Sequence, residues 1–150
     1  MKFRTATVED IPLLVKLRRQ ELTDENFVPP NNDMDPYLPS FFERHLTDGS
    51  MVQWVCEDQG EIIATSAIVF YEMPPSFTNG YGWIGYIANV YTAAAYRRRG
   101  IATALLERVV QEAKARNVKL IWLRASEEGT FLYEKYGFSH GNDWMRLELP

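Results

Sequence analysis

Three consecutive arginines followed by a glycine, Arg97-Arg98-Arg99-Gly100, stand between an apolar stretch and a segment of helical periodicity. Guanidinium groups are permanent cations that hydrogen-bond phosphate and carboxylate oxygens. If a helix starts after Gly100, its first N–H groups find no acceptor inside the helix, point outward and carry partial positive charge from the helix dipole. A junction of that kind binds anions, phosphate groups above all. Gly100 lacks a Cβ, so the backbone there can come close to a ligand. A solvated basic patch has the same composition; a strand before and a helix after are what separate an anion site from it.

Both flanking elements are legible. Residues 83–92, Trp-Ile-Gly-Tyr-Ile-Ala-Asn-Val-Tyr-Thr, are rich in aromatic and β-branched side chains and read as a strand. In residues 101–115, Ile101, Leu105 and Val109 recur every fourth position beside Ala102, Leu106 and Val110, giving a wide apolar helix face. Before them, residues 2–6 read as a short strand. Thr7 with Glu9 and Asp10 marks a helix start, with Pro12 near its beginning. Ile11, Leu14, Val15, Leu17 and Leu22 form the apolar stripe of that helix. Residues 24–39 carry Pro29, Pro30, Pro36 and Pro39 and read as a long loop; loops of that length are often functional. A short helix over 40–46, strands over 51–56 and 62–71 joined by a turn at Gly60, and a second loop over 72–82 follow. The apolar run within 119–125 predicts a strand buried on both faces. Residues 127–136 predict a helix closed by Gly137. The alternation Met145-Arg146-Leu147-Glu148-Leu149 predicts a last strand. The order β-α-α-β-β-β-α-β-α-β predicts an α/β fold with a mixed, mostly antiparallel sheet of six to seven strands flanked by about four helices. With no repeat or boundary in view, residues 1–150 read as a single domain.

Composition narrows the ligand. The chain has 150 residues, 46% apolar and 24% charged, and a net charge of -4. An acidic protein with one local basic spot suits a small anionic ligand better than nucleic acid or a membrane surface. The single cysteine, Cys56, excludes an internal disulfide and a cysteine-based zinc site, and its apolar context predicts an inert buried thiol. His45 and His140 lack metal-ligand spacing, so no metal is expected. No charged-then-apolar leader and no apolar run long enough to cross a membrane is visible, which predicts a soluble cytoplasmic protein.

Two stretches carry a resemblance. Arg97-Arg98-Arg99-Gly100-Ile101-Ala102 is similar to the [Q/R]-x-x-G-x-[G/A] signature of the GNAT superfamily of acyl-CoA-dependent N-acetyltransferases. Phe131-Leu132-Tyr133-Glu134-Lys135-Tyr136-Gly137-Phe138 looks like that family's later helix, which carries a tyrosine and ends in Gly-Phe. The order of elements is similar along essentially the whole chain. The resemblance implies acetyl-CoA as acyl donor and a primary amine of a small molecule or peptide as acceptor, by direct attack. It implies that main-chain N–H groups around Arg98, Arg99, Gly100, Ile101, Ala102 and Thr103, beside Arg97, bind the donor's pyrophosphate. It implies that Val90 and Thr92, with Tyr91 between them, pair with the pantetheine arm at a splayed, bulged strand, and that Val90 N–H polarises the thioester carbonyl. Tyr133 matches the residue that protonates the departing thiolate. Ser126 stands where many members have asparagine, and Gly129 where alanine is common. For the general base, Glu72, Glu21 and an ordered water chain remain open. A homodimer is common in the family, and nothing in this sequence requires one. The alternative function is a non-catalytic acyl-CoA binding or sensing module, which needs the phosphate loop but not Tyr133.

Overall fold

The computed structural model describes residues 1–25, 37–141 and 143–150. Its elements are β1 Lys2–Thr5, α1 Ile11–Asp24, α2 Leu38–Asp48, β2 Met51–Asp58, β3 Glu61–Glu72, β4 Trp83–Thr92, α3 Ile101–Ala115, β5 Leu120–Leu123 and α4 Glu127–Tyr136. The strands form one sheet in the order β1-β2-β3-β4-β5, antiparallel except for the parallel β4–β5 pair. A parallel neighbour needs a crossover, and α3 supplies it.

The sheet separates two cores. On one face Ile68, Phe70 and Ile87 pack against Leu106, Val109, Val110 and Ala113 of α3 and Tyr133 of α4. On the other, Met51, Val55 and Ala67 meet Leu14 of α1 and Phe42 of α2. Each fully buried Val, Leu, Ile, Phe or Met side chain among them contributes about 1.5–3 kcal/mol. Arg4 ties β1 to its neighbours, bonding Asp10 at 2.7 Å and Glu57 at 2.6 Å. The Arg4 guanidinium holds the Asp10 carboxyl below the usual carboxylate range.

Two expectations about the sheet are corrected. Among the described residues five strands form, not six to seven: residues 143–149, despite their alternation, join no ladder, and Met145, Leu147 and Leu149 stand exposed. Alternation specifies which side chains share a face, and a strand also needs a partner. Nor is β5 buried on both faces. It is the edge of the sheet, its residues half-buried and Leu120 exposed. The long loop read over 24–39 lies largely outside the described residues, and α2 begins inside it at Leu38.

Candidate active site

The site starts from a defect in a ladder. β4 pairs with β5 only from Ile84 to Ile87, then runs on alone to Thr92. Its register with β3 shifts in the same place: Ala67 faces Ala88 and Thr65 faces Tyr91, so Ser66 alone opposes both Asn89 and Val90. That is a β-bulge, and Asn89 takes the left-handed conformation it requires, at φ +54°. Asparagine is among the few side chains that tolerate this region.

A buried chain of amides and a hydroxyl holds the bulge. Asn89 Nδ2 donates to Gln53 Oε1 at 3.2 Å. Gln53 Nε2 donates to Thr65 Oγ1 at 2.7 Å, and Thr65 Oγ1 donates to the Trp54 carbonyl at 3.1 Å. All three side chains are buried. Buried and paired polar groups rigidify, whereas the loss of one orphans its neighbour. The sequence analysis missed this group. Its signal was Gln53, a polar residue at a core-facing position between Met51 and Val55.

Beyond the bulge, β4 turns main-chain groups away from β3. The Val90 N–H is on the side of Glu21 of α1 and favours that carboxyl's charged form. The Thr92 carbonyl accepts from Arg97 Nε at 3.0 Å. Tyr91, between them, faces β3 with its own backbone, as strand alternation demands. Val90 and Thr92 therefore present an unpaired strand edge, the arrangement that an amide-bearing chain can extend.

The residues read in the sequence as a phosphate loop follow at once. Arg98 and Gly100 have φ of +63° and +77°, and Gly100 starts α3 without a side-chain cap. Ile101, buried with Leu105, pins the first turn to the sheet. The N–H groups of Ile101, Ala102 and Thr103 lie in that turn, where helix geometry offers them no acceptor. The three guanidinium groups diverge. Arg99 lies over the Tyr96 ring at 5.2 Å. Arg98 is exposed. Arg97 reaches Asp24 of α1 at 3.5 Å and Glu128 of α4 at 3.7 Å, so it joins the ends of both helices to Thr92.

From the other side comes α4. Ser126 is its N-cap, and its Oγ accepts from Gly129 N–H at 3.1 Å. The departure from asparagine thus has a local use, since serine caps helices well. Gly129 also has one: a Cβ there would stand 3.0 Å from Tyr133 Cε2 and 3.2 Å from Ser126 Oγ. Tyr133 is 7% exposed. Burial first, then the charges of Glu21 and Glu25, push its phenol up to about 12. Glu21 itself is 7% exposed. Burial raises its carboxyl, while Arg18, 3.0 Å from it, and the Val90 N–H oppose that rise. Where β4 and β5 part, α1 from one side of the sheet therefore meets α4 from the other.

The sequence-derived residues fall into two sets. Val90, Thr92, Arg97, Ser126, Tyr133 and Glu21 converge on the parted strands. Glu72 does not: it pairs with Trp83 at the far end of the β3–β4 hairpin, six residues from Ser66, or about 20 Å at strand spacing. His45 is hydrogen-bonded to Ser50 and stacked on Phe41, and His140 pairs with Glu134 beside a small pocket that Tyr133 also lines. Cys56 is fully buried, and burial pushes its thiol up. Among the described residues no cluster of His, Cys, Asp and Glu is arranged to hold a metal ion. A concavity of about 640 Å³ beside α3, lined by Trp54, Arg108, Glu112 and Tyr136 among others, includes none of the converging residues.

Comparison with known proteins agrees with this geometry. A model of the Acetyltransferase (GNAT) family matches residues 16–138. A glucosamine 6-phosphate N-acetyltransferase from Trypanosoma brucei brucei is 29% identical over 90 residues, 60% of this chain, and the chain spans 59% of the length of that curated relative. A predicted acetyltransferase from Clostridium acetobutylicum, crystallised with acetyl-CoA, is 44% identical with a TM-score of 0.94, covering 98% of this chain and 95% of that one. A GCN5-related N-acetyltransferase from Ralstonia eutropha is 26% identical with a TM-score of 0.86, covering 98% of this chain and 97% of its own.

Proposed function

This chain belongs to the acetyltransferase (GNAT) family, and we propose that it transfers an acetyl group from acetyl-CoA to a primary amine by direct attack. The observation that carries the reading is the parted end of β4, with Val90 N–H and the Thr92 carbonyl turned outward between the start of α3 and Tyr133. The residues fit the donor. N–H groups from Arg98 to Thr103 face its pyrophosphate, while Arg97, Thr92 and Ser126 border the path of its pantetheine arm. Val90 N–H meets the thioester carbonyl, where charge grows as the amine attacks, and a fixed donor stabilises that charge.

In the reaction a bond forms from the amine nitrogen to the acetyl carbon and the carbon–sulfur bond breaks. The sulfur leaves as a thiolate and takes a proton from the Tyr133 hydroxyl. A phenol raised to about 12 keeps its proton throughout the neutral range, so it is always available as the acid.

The acceptor is an unphosphorylated amine in this reading. Asp24, Glu25 and Glu128 rim the approach between α1 and α4 and repel an anionic group. The acidic loop residues Asp33 and Asp35 lie outside the described residues. No described helix is long and apolar enough to cross a membrane, and we read the protein as cytoplasmic.

Free thiol released from acetyl-CoA, measured against a panel of amines, tests the proposal. Amine-dependent release that falls about 100-fold in Tyr133→Phe, the low end for loss of a general acid, supports it. Donor binding without release under any amine would favour a sensing module instead.

A further inference from the structure

The tail of the chain and the edge of the sheet each lack what the other has. Residues 143–149 alternate but join no ladder, and Trp144, Met145, Leu147 and Leu149 are between 63% and 96% exposed. Apolar side chains of that size, crowded onto one short stretch, mark a contact surface rather than ordinary scatter. β5 is paired on one side only, with β4, so the main-chain donors and acceptors of its outer side stand open. The tail does touch β5, but through one ring: Trp144 lies edge-on to Trp122 at 4.9 Å. Trp122 Nε1 is buried with no hydrogen-bond partner among the described residues, and a buried donor without an acceptor is costly. The seat of the tail on its own sheet therefore satisfies neither its apolar side nor the open edge.

We propose that residues 143–149 of one copy pair antiparallel with β5 of a second copy, each copy giving its tail and receiving the other's. The two segments match in sequence. The register that sets Leu147 opposite Leu120 also sets Met145 opposite Trp122 and Glu148 opposite Lys119. Opposed residues of an antiparallel pair share a face. Apolar side chains thus meet apolar ones on one face, and a carboxylate meets an ammonium on the other. Glu148 and Lys119 are both exposed. Glu148 is otherwise held only by Arg146 of its own strand, at 3.1 Å, an exposed pair of small worth.

The size is right for a stable contact. Burying the four apolar side chains removes about 300–500 Å² per tail from water. Two tails with the surfaces that receive them reach about 1,200–2,000 Å², the range of specific interfaces. Reciprocal exchange closes as a two-fold dimer and leaves neither β5 edge open. The proposal is independent of the transferase reading, because it uses none of the residues that converge on the parted strands.

Sedimentation equilibrium of the wild-type protein should show a dimer at micromolar concentration. Leu147→Arg changes a side chain that stands in solvent within one chain, so the fold should survive, as circular dichroism can check. The dimer should weaken at least about 100-fold. A pair of charge variants tells exchange between copies from folding back within one. Glu148→Lys and Lys119→Glu each set like charges opposite one another, and each alone should dimerise about 10-fold more weakly. Mixed one to one, the tail of each variant meets an edge of opposite charge on the other, and a heterodimer of wild-type affinity should form. Pairing within one chain gains nothing from mixing. Amide hydrogen exchange should find Leu120 to Leu123 protected in the dimer and unprotected in Leu147→Arg. A wild type that stays monomeric, a dimer indifferent to Leu147→Arg, β5 amides protected in a monomer, or a mixture no tighter than its components would each overturn the proposal.

Discussion

Tyr133 and Glu21 show what burial does to a phenol and to a carboxyl. The phenol is pushed up to about 12, so it stays protonated. The carboxyl is also raised, chiefly by burial, yet Arg18 and the Val90 N–H favour its charged form. The sign for stability follows from the second shift. A raised carboxyl binds its proton more tightly in the folded chain than in the unfolded one, so its contribution is intact below the ordinary value of 4.5 and lost as pH rises through the raised value. Ionised Glu21 is therefore a burden at neutral pH. Glu21→Gln should raise the melting temperature at pH 7, and the gain should vanish below pH 4.5, where the carboxyl is protonated in both states; thermal unfolding followed at both pH values measures this. Gly129 is the other residue with a sharp expectation. Alanine gains about 1 kcal/mol of helix propensity over glycine, but its Cβ would stand 3.0 Å from a packed ring. Gly129→Ala should thus lower kcat through Tyr133 while leaving the affinity for CoA within about 2-fold, since the proposed pyrophosphate contacts lie at the start of α3.

At the scale of elements, the bulge in β4 sets the site, and its supports can be removed one at a time. Gln53→Leu leaves Asn89 and Thr65 each without a buried partner, at about 1–3 kcal/mol for an orphaned group. Asn89→Val adds a β-branched side chain at φ +54°, whereas Asn89→Gly keeps the backbone free to hold it. Valine should therefore reduce kcat/KM far more than glycine does, in a comparison of steady-state rates for the two variants. The same logic governs the start of α3. Gly100→Val should abolish CoA binding, because φ +77° is closed to valine and the proposed donor site uses the main chain there. Arg98→Ala should only weaken binding; calorimetry with CoA distinguishes the two. The bounds of α3 and α4 were legible in the sequence from apolar periodicity and flanking glycines. The junction from β4 to α3 around Arg97–Gly100 was legible as well. The supports of the bulge were not, because the Asn89–Gln53–Thr65 chain joins three strands and no local pattern records that meeting. Glu21 was among the residues open for the base, but its burial beside Leu14 on α1 was not legible, because a helical stripe is read from apolar residues.

For the molecule as a whole, the sheet is what brings distant stretches to one place. Residues near 21, 90, 97 and 133 meet because β4 and β5 part where the two helical layers are in reach of each other through the gap. The last strand expected from alternation at Met145, Leu147 and Leu149 is absent from the ladder, since nothing in a period of two names a neighbour. The acidic net charge of -4 and the carboxylates around the opening act over the same scale. They should favour cationic amines over a phosphorylated amino sugar, with the preference weakening as salt is raised. The central claim is chemical, and a mass balance tests it most directly. Wild-type protein is incubated with acetyl-CoA carrying a labelled acetyl group and a cationic amine, and the thiol and the amine product are both quantified. The account predicts one labelled N-acetyl group for each thiol released, with none formed when the amine is omitted. Acetyl-CoA held in the protein with no labelled amine, or thiol released at the same rate without any amine, would contradict it.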